Sequence, residues 1–384
     1  MMVDKRKHIL FYVIFAFLFL PLLQQNFSFI TSGRLYGWFT TSPDVDFAWD
    51  KWFDGSYCRD KTKYYNDNVG FRPDLIRLGS QLDYSLFTKF RSNKIILGTD
   101  TSLLTPEFLD PFIGKDYAGY SVISENVRKL KAIQDTLTHL GKTMVLVYSP
   151  DKAYYYEDEI PATYKALRKG PDNYQVYIKV ADSHGINQVD FNAWFMQLKH
   201  ISTEVLYPKQ GYHWSMYGCL LAADSLERYI EKARNIHMPH PVWDRVEHTS
   251  KPRYSDNDLA LTLNLIYPTT KETFSYPNVT YPASSTMTKP KIIYLGDSFL
   301  FQWEMAGVMD NTNTGWQIWY YFNELYQTGD LAREAHHPTA ETDWIKALEN
   351  TDCLVIMYTP HNMYEIGDGF IDKAYTHFYP GMLK

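Results

Sequence analysis

The sequence predicts an α/β domain built on a mostly parallel sheet flanked by helices and preceded by one N-terminal transmembrane helix. Three observations carry this. Short unbroken apolar runs of strand length stand at Met144–Tyr148, Ile292–Leu295 and Leu354–Tyr358. Segments with apolar residues on one helical face alternate with them. At the N-terminus an apolar, aromatic run extends from Ile9 to Leu20 behind Lys5, Arg6, Lys7 and His8.

The N-terminal run continues through Pro21, Leu22 and Leu23 to Gln24 and Gln25. The stretch from Leu23 to Phe29, Leu-Gln-Gln-Asn-Phe-Ser-Phe, offers no small-residue cleavage site, so residues 1–30 are expected to form an uncleaved signal anchor. The run is shorter than the roughly 20 residues that span a bilayer, and Phe27 to Ile30 extend it at the far interface. The basic residues before it place the N-terminus in the cytoplasm. The expectation is a single-pass protein of the cytoplasmic membrane, its main domain on the periplasmic or extracellular face.

Residues 31–92 are expected to be a helical, aromatic-rich lead-in. Pro73 opens a run in which Leu75, Ile76, Leu78, Leu82 and Leu86 recur at helical spacing. The main domain is expected over residues 93–384. A strand-like stretch covers Lys94 to Leu97. Ser124 is positioned to cap a helix with Val127, Leu130, Ile133, Leu137 and Leu140 on one face, ended by Gly141. After Met144–Tyr148 come a helix at Tyr174–Ser183 and a strand around Val189. The pattern resumes after Pro290 with strands at Ile292–Leu295 and Ile318–Tyr321, a helix at Trp344–Leu348 and a strand at Leu354–Tyr358. Between them, Pro239 to Pro290 is rich in Pro, Ser, Thr and Tyr with one helix near Leu259–Leu265, and reads as an insertion or the rim of a cleft.

A formal charge of -6 spread without long runs gives no basic footprint, which argues against nucleic acid as a partner. The 31 Tyr and 10 Trp suit stacking on sugar faces, or the filling of a large core. Cys58, Cys219 and Cys353 form neither a C-x-x-C pair nor a metal spacing with histidine, so no metal and no cofactor are expected.

The strongest local feature is a buried-type strand running into Gly296-Asp297-Ser298. A serine at such a turn exposes its hydroxyl beside backbone N–H groups that face a developing oxyanion. Gly296 would give the tight turn and Asp297 would brace the loop. The same three residue types also make ordinary turns. A second feature is Gly211-Tyr-His213-Trp214-Ser215 before a helix that Ser215 caps. His213, held at that junction beside Trp214, could accept a proton from a serine brought near by the fold.

His213-Trp-Ser-Met-Tyr-Gly218 before a long helix, with a later strand ending in Gly-Asp-Ser-Phe, resembles the acetyltransferase-like SGNH family of AlgJ and AlgX. The likeness extends to Asn68–Arg72, Lys94–Gly98, Tyr148–Lys152 and Trp319–Asn323, and so covers most of the chain after about residue 60. The resemblance implies an SGNH-like fold in circularly permuted order, with histidine before serine. It implies transfer or removal of acetyl groups on an exported polysaccharide, and a multi-spanning membrane O-acyltransferase as partner. By position Ser298 matches the nucleophile and His213 the base, whereas the family's acid falls on Gly211, which has no side chain.

The candidate substitute acids are Asp151, Asp190, Asp256 and Asp258. The candidate substrate contacts are Lys152, Trp214 and His361, two of them at strand ends where α/β ligands bind. The leading expectation is therefore an envelope O-acyltransferase or acetylesterase acting through an acyl-serine at Ser298. The alternative is a catalytically impaired SGNH-like module that binds glycan and supports an export or acetylation complex. A membrane structural protein with an incidental serine is the third reading.

Overall fold

The structure, a computed structural model, describes residues 5–37, 41–92, 94–167, 170–329 and 337–381. The chain divides into two compact units, Met1–Asn93 with Leu259–Thr269, and Lys94–Asp258 with Thr270–Lys384. Residue 93, at the expected start of the main domain, lies outside the described residues.

The first unit is helical. Helix α1, Lys5–Phe27, is long and apolar enough to cross a membrane, and its apolar side chains are exposed. Helices α2 (Trp49–Phe53), α3 (Ser56–Asn68) and α4 (Arg72–Phe87) follow. Pro73 stands in the first turn of α4, where its missing N–H is no loss.

The strands in chain order are β1 (Ile96–Leu97), β2 (Leu103–Leu104), β3 (Thr143–Tyr148), β4 (Gln188–Asp190), β5 (Val242–Thr249), β6 (Phe274–Thr280), β7 (Lys291–Gly296), β8 (Gly315–Tyr320), β9 (Glu324–Gln327), β10 (His337–Pro338) and β11 (Cys353–Tyr358). Seven of them make the central sheet, in the order β10-β9-β8-β7-β11-β3-β4. From β8 to β4 the neighbours are parallel, as predicted. β9 and β10 pair antiparallel at one edge, so the sheet is mixed. β3, β7 and β11 are buried almost throughout, which is why they read as continuous apolar runs.

Several boundaries differ from the sequence expectation. The helix expected to start at Ser124 starts at Tyr120 behind Gly119, so Ser124 lies inside it and caps nothing. Ile123 extends the buried stripe of Val127, Leu130, Ile133 and Leu137 back by one turn, and burying it outweighs a local capping preference. Leu140, expected on that face, is the exposed C-cap. β8 stops at Tyr320 because Tyr321 and Phe322 both take φ of 47°, the left-handed conformation that turns the chain into β9. The Pro239–Pro290 segment holds an antiparallel pair, β5 with β6, that sequence reading missed, and its helix is Asp258–Thr262. β5 is mostly exposed and charged and so lacks the alternating signal of a half-buried strand.

Candidate active site

β7 is the middle strand of the seven, and its C-terminal end delivers Asp297 and Ser298 between the ends of β8 and β11. The Gly296 carbonyl accepts from Tyr321 N–H at 2.9 Å, tying the turn to the end of β8. Asp297 is fully buried and ties it to the end of β11. Its Oδ2 accepts from Thr359 N–H at 2.8 Å, the Thr359 hydroxyl at 2.7 Å and Asn362 Nδ2 at 2.9 Å, while Oδ1 accepts from Phe299 N–H at 3.1 Å. A carboxylate with that many donors has little freedom, and the turn carrying Ser298 is fixed through it.

His213 reaches the same place from the other half of the sequence. Ser215 caps the helix Met216–Arg234, its Oγ accepting from Gly218 N–H at 2.9 Å, which fixes the chain that enters the helix. The His213 ring packs on Phe299, with centroids 4.9 Å apart, and its Nε2 lies 3.0 Å from Ser298 Oγ. Its Nδ1 lies 3.0 Å from Asp258 Oδ2. The other oxygen of Asp258 accepts from Tyr212 N–H at 2.5 Å. An ionised carboxylate only accepts, so this contact assigns the ring proton to Nδ1 and leaves Nε2 as acceptor for the serine hydroxyl.

Gly211 has no room for an acid. A Cβ there would meet the carbonyl oxygens of Ser255 and Asp256, each at 2.9 Å. The backbone that fills the space is the segment that brings Asp258 to His213.

Of the four candidate acids only Asp258 pairs with His213. Asp151 caps the short helix Lys152–Tyr155 and accepts from His361 Nδ1 at 2.9 Å. Asp190 caps the helix Phe191–Leu198 and accepts from the Tyr174 hydroxyl at 2.8 Å. Asp256 is buried against the Tyr276 hydroxyl, which donates to it at 2.5 Å, and burial foremost pushes its carboxyl up to about 7.

The expected substrate contacts are corrected for two residues. Lys152 is fully buried, and its ammonium donates to the carbonyls of Pro208 at 3.0 Å, Lys209 at 2.9 Å and Gly211. It therefore clamps the loop that leads into His213. Burial pulls its ammonium down, against the opposing charge of Glu272. Trp214 is buried against Phe195, Phe299 and Trp303 and offers no surface to a ligand. His361 is nearly buried, its Nε2 3.1 Å from the Tyr212 hydroxyl, so that Asp151, His361 and Tyr212 form a chain of polar contacts beside the triad. Tyr212, Thr359 and Asn362 were not anticipated. Adjacency to His213 and position after β11 were the signals available.

Among the described residues no cluster of His, Cys, Asp or Glu is arranged to hold a metal.

A mixed sheet with Gly-Asp-Ser at the end of its middle strand places the chain in the class of SGNH hydrolase-like domains. Residues 114–298 match the family model described as SGNH hydrolase-like domain, acetyltransferase AlgX, and this match supports an AlgJ/AlgX type of SGNH-like family. The match includes His213 and Asp258 and ends on Ser298. Similar solved structures include the O-acetyltransferase domain of Pseudomonas putida AlgJ, with 15% identity, a TM-score of 0.47 and coverage of 74% of this chain and 99% of that one. Pseudomonas aeruginosa AlgX has 14% identity, a TM-score of 0.45 and coverage of 76% and 71%. Bacillus cereus PatB1 has 12% identity, a TM-score of 0.43 and coverage of 70% and 96%. No curated protein matches the chain.

Proposed function

We propose that this protein transfers an acyl group, acetyl in the first instance, through an acyl-serine at Ser298. The single observation that carries the reading is the line Asp258 Oδ2, His213 Nδ1, His213 Nε2, Ser298 Oγ, with 3.0 Å at each of its two hydrogen bonds. The description of the matching family as an acetyltransferase supports the same chemistry.

In the first half-reaction Ser298 Oγ attacks the acyl carbonyl while its proton passes to His213 Nε2. Asp258 holds the ring and stabilises the imidazolium that forms. The tetrahedral intermediate collapses, the leaving group takes the proton from Nε2, and Ser298 carries the acyl ester. In the second half an acceptor hydroxyl attacks that ester, His213 takes the hydroxyl proton, and the proton returns to Ser298 Oγ as the acylated acceptor leaves. A sugar hydroxyl as acceptor makes the protein an O-acyltransferase, and water makes it an esterase.

The acceptor is read as an exported cell-envelope polysaccharide, and the acyl donor as reaching the site through a multi-spanning membrane O-acyltransferase. Residues 1–30 then act as the anchor, residues 31–92 as a lead-in and residues 93–384 as the catalytic domain on the outer face. The absence of a carboxylate at position 211 favoured an impaired glycan-binding module, and the pairing of Asp258 with His213 removes that support.

The test is intact-mass analysis of the full chain in detergent after exposure to an activated acetyl ester, beside Ser298→Ala. An acetyl adduct that is lost in the variant, and that glycan oligomers discharge faster than water does, is the expected result. A folded wild-type chain that takes up no acetyl, or an adduct that persists in Ser298→Ala, would overturn the reading.

A further inference from the structure

Helix α4 carries its apolar residues on the outside. Leu75, Leu78, Leu82 and Leu86 follow one another at helical spacings and form one stripe, and they are 54%, 48%, 49% and 68% exposed. Polar residues of the same helix hydrogen-bond within their own unit. Asp74 accepts from the Ser32 hydroxyl, and Arg77 donates to the carbonyls of Gly33 at 3.0 Å and Arg34 at 2.5 Å. Gln81 Oε1 accepts from the N–H groups of Ile266 and Tyr267 at 3.1 and 3.0 Å. A helix of a water-soluble fold has the reverse arrangement, and a continuous exposed stripe of leucine marks an interaction surface.

The same unit contains α1 and indicates what covers that surface. The turn between α3 and α4 lies against the C-terminal end of α1. A Cβ on Gly70 would meet Gln24 Cβ at 2.7 Å and Gln25 N at 2.8 Å, and the rings of Phe29 and Phe71 have centroids 6.0 Å apart. At about 1.5 Å per residue a helix of this length crosses a hydrocarbon layer of roughly 30 Å and ends at the opposite interface. With α1 read as the spanning anchor, α4 begins where the membrane ends. The unit also exposes Trp49, Trp52 and Phe53, and Trp in particular is enriched in that layer.

We propose that α4 lies in the outer interfacial layer of the bilayer that α1 crosses, with its four leucines dipped into the acyl region. The protein then holds the membrane twice, by a spanning helix and by an interfacial one. Continuity with the end of the spanning helix selects lipid as the occupant over a second copy of the chain. This inference rests on the proposed anchoring by α1 and not on the acyl-transfer reading.

The test uses the full-length chain in phosphatidylcholine vesicles. Cys58 is exposed and is replaced in Cys58→Ser, while Cys219 and Cys353 are buried and stay. Spin labels are attached at Leu78→Cys or Leu82→Cys, with the exposed Leu140→Cys of the other unit as control, each variant being checked for wild-type thermal unfolding. Collision with lipid-soluble oxygen is expected to exceed collision with a water-soluble nickel chelate several-fold at 78 and 82, and to be the weaker of the two at 140. Nickel access at 78 and 82 equal to that at 140 would show a helix facing water. Exclusion of both reagents would show a protein partner. Either result overturns the proposal.

Discussion

The Asp256 carbonyl oxygen stands 2.9 Å from where a side chain on Gly211 would begin, and two residues further on Asp258 supplies His213 with its carboxylate. The two facts have one cause, since the segment that blocks position 211 is the segment that carries the acid. An orienting acid can come from any element that reaches Nδ1, because its task is to fix a tautomer and a ring direction. Both predictions about this pair follow from that.

Asp258→Asn is expected to lower the rate of acetyl-enzyme formation by about 10³- to 10⁴-fold, the scale of the equivalent loss in a serine protease. The amide can offer N–H to Nδ1 and so stabilise the wrong tautomer. Thermal unfolding should change little, because Asp258 is partly exposed. The measurement is the rate of mass gain with an activated acetyl ester.

Gly211→Asp should not help. The new Cβ would have to displace the backbone at Ser255 and Asp256, and overpacking of that kind costs about 1–3 kcal/mol. Lower stability in chemical denaturation is expected, with no restoration of rate when the change is combined with Asp258→Asn.

Lys152→Met removes the ammonium that three buried carbonyls share. Leaving buried acceptors unpaired costs about 1–3 kcal/mol each when none can rehydrate, so a loss on the order of 3 kcal/mol is expected in denaturant titration. Acetylation should also slow, because the Gly211 carbonyl anchors the chain two residues before His213.

Asp256 gives a pH dependence of definite sign. Its carboxyl is raised from 3.8 to about 7 in the folded chain, chiefly by burial. Between those values the folded state binds more protons than the unfolded state, so this group's contribution to stability is present below pH 4 and is lost as pH rises towards 7. Asp256→Asn cannot ionise and should gain stability relative to wild type over that window, read from thermal unfolding at a series of pH values. A constant difference between the two across the window would rule out this origin.

The parts of the fold that could be read from sequence are those whose signal is local. β3, β7 and β11 are short, apolar and flanked by turn residues, so their composition alone marks them as buried strands. β5 could not be read this way, being a mostly exposed strand whose partner β6 lies across an excursion of the chain. The antiparallel edge at β9 depends on two left-handed residues, Tyr321 and Phe322, whose side chains give no hint of that conformation.

The sequence by itself determined the membrane-type helix, the alternation that builds the sheet and the two motifs that end on His213 and Ser298, because each rests on residues adjacent along the chain. Only the tertiary structure decided which carboxylate pairs with the histidine and which of the candidate contact residues are buried. Four aspartates were equivalent by local pattern. Their ranking is a matter of distances between residues far apart in sequence, 45 positions for Asp258 with His213. Likewise the burial of Lys152 and Trp214 is set by packing between elements far apart in sequence, which no local pattern encodes.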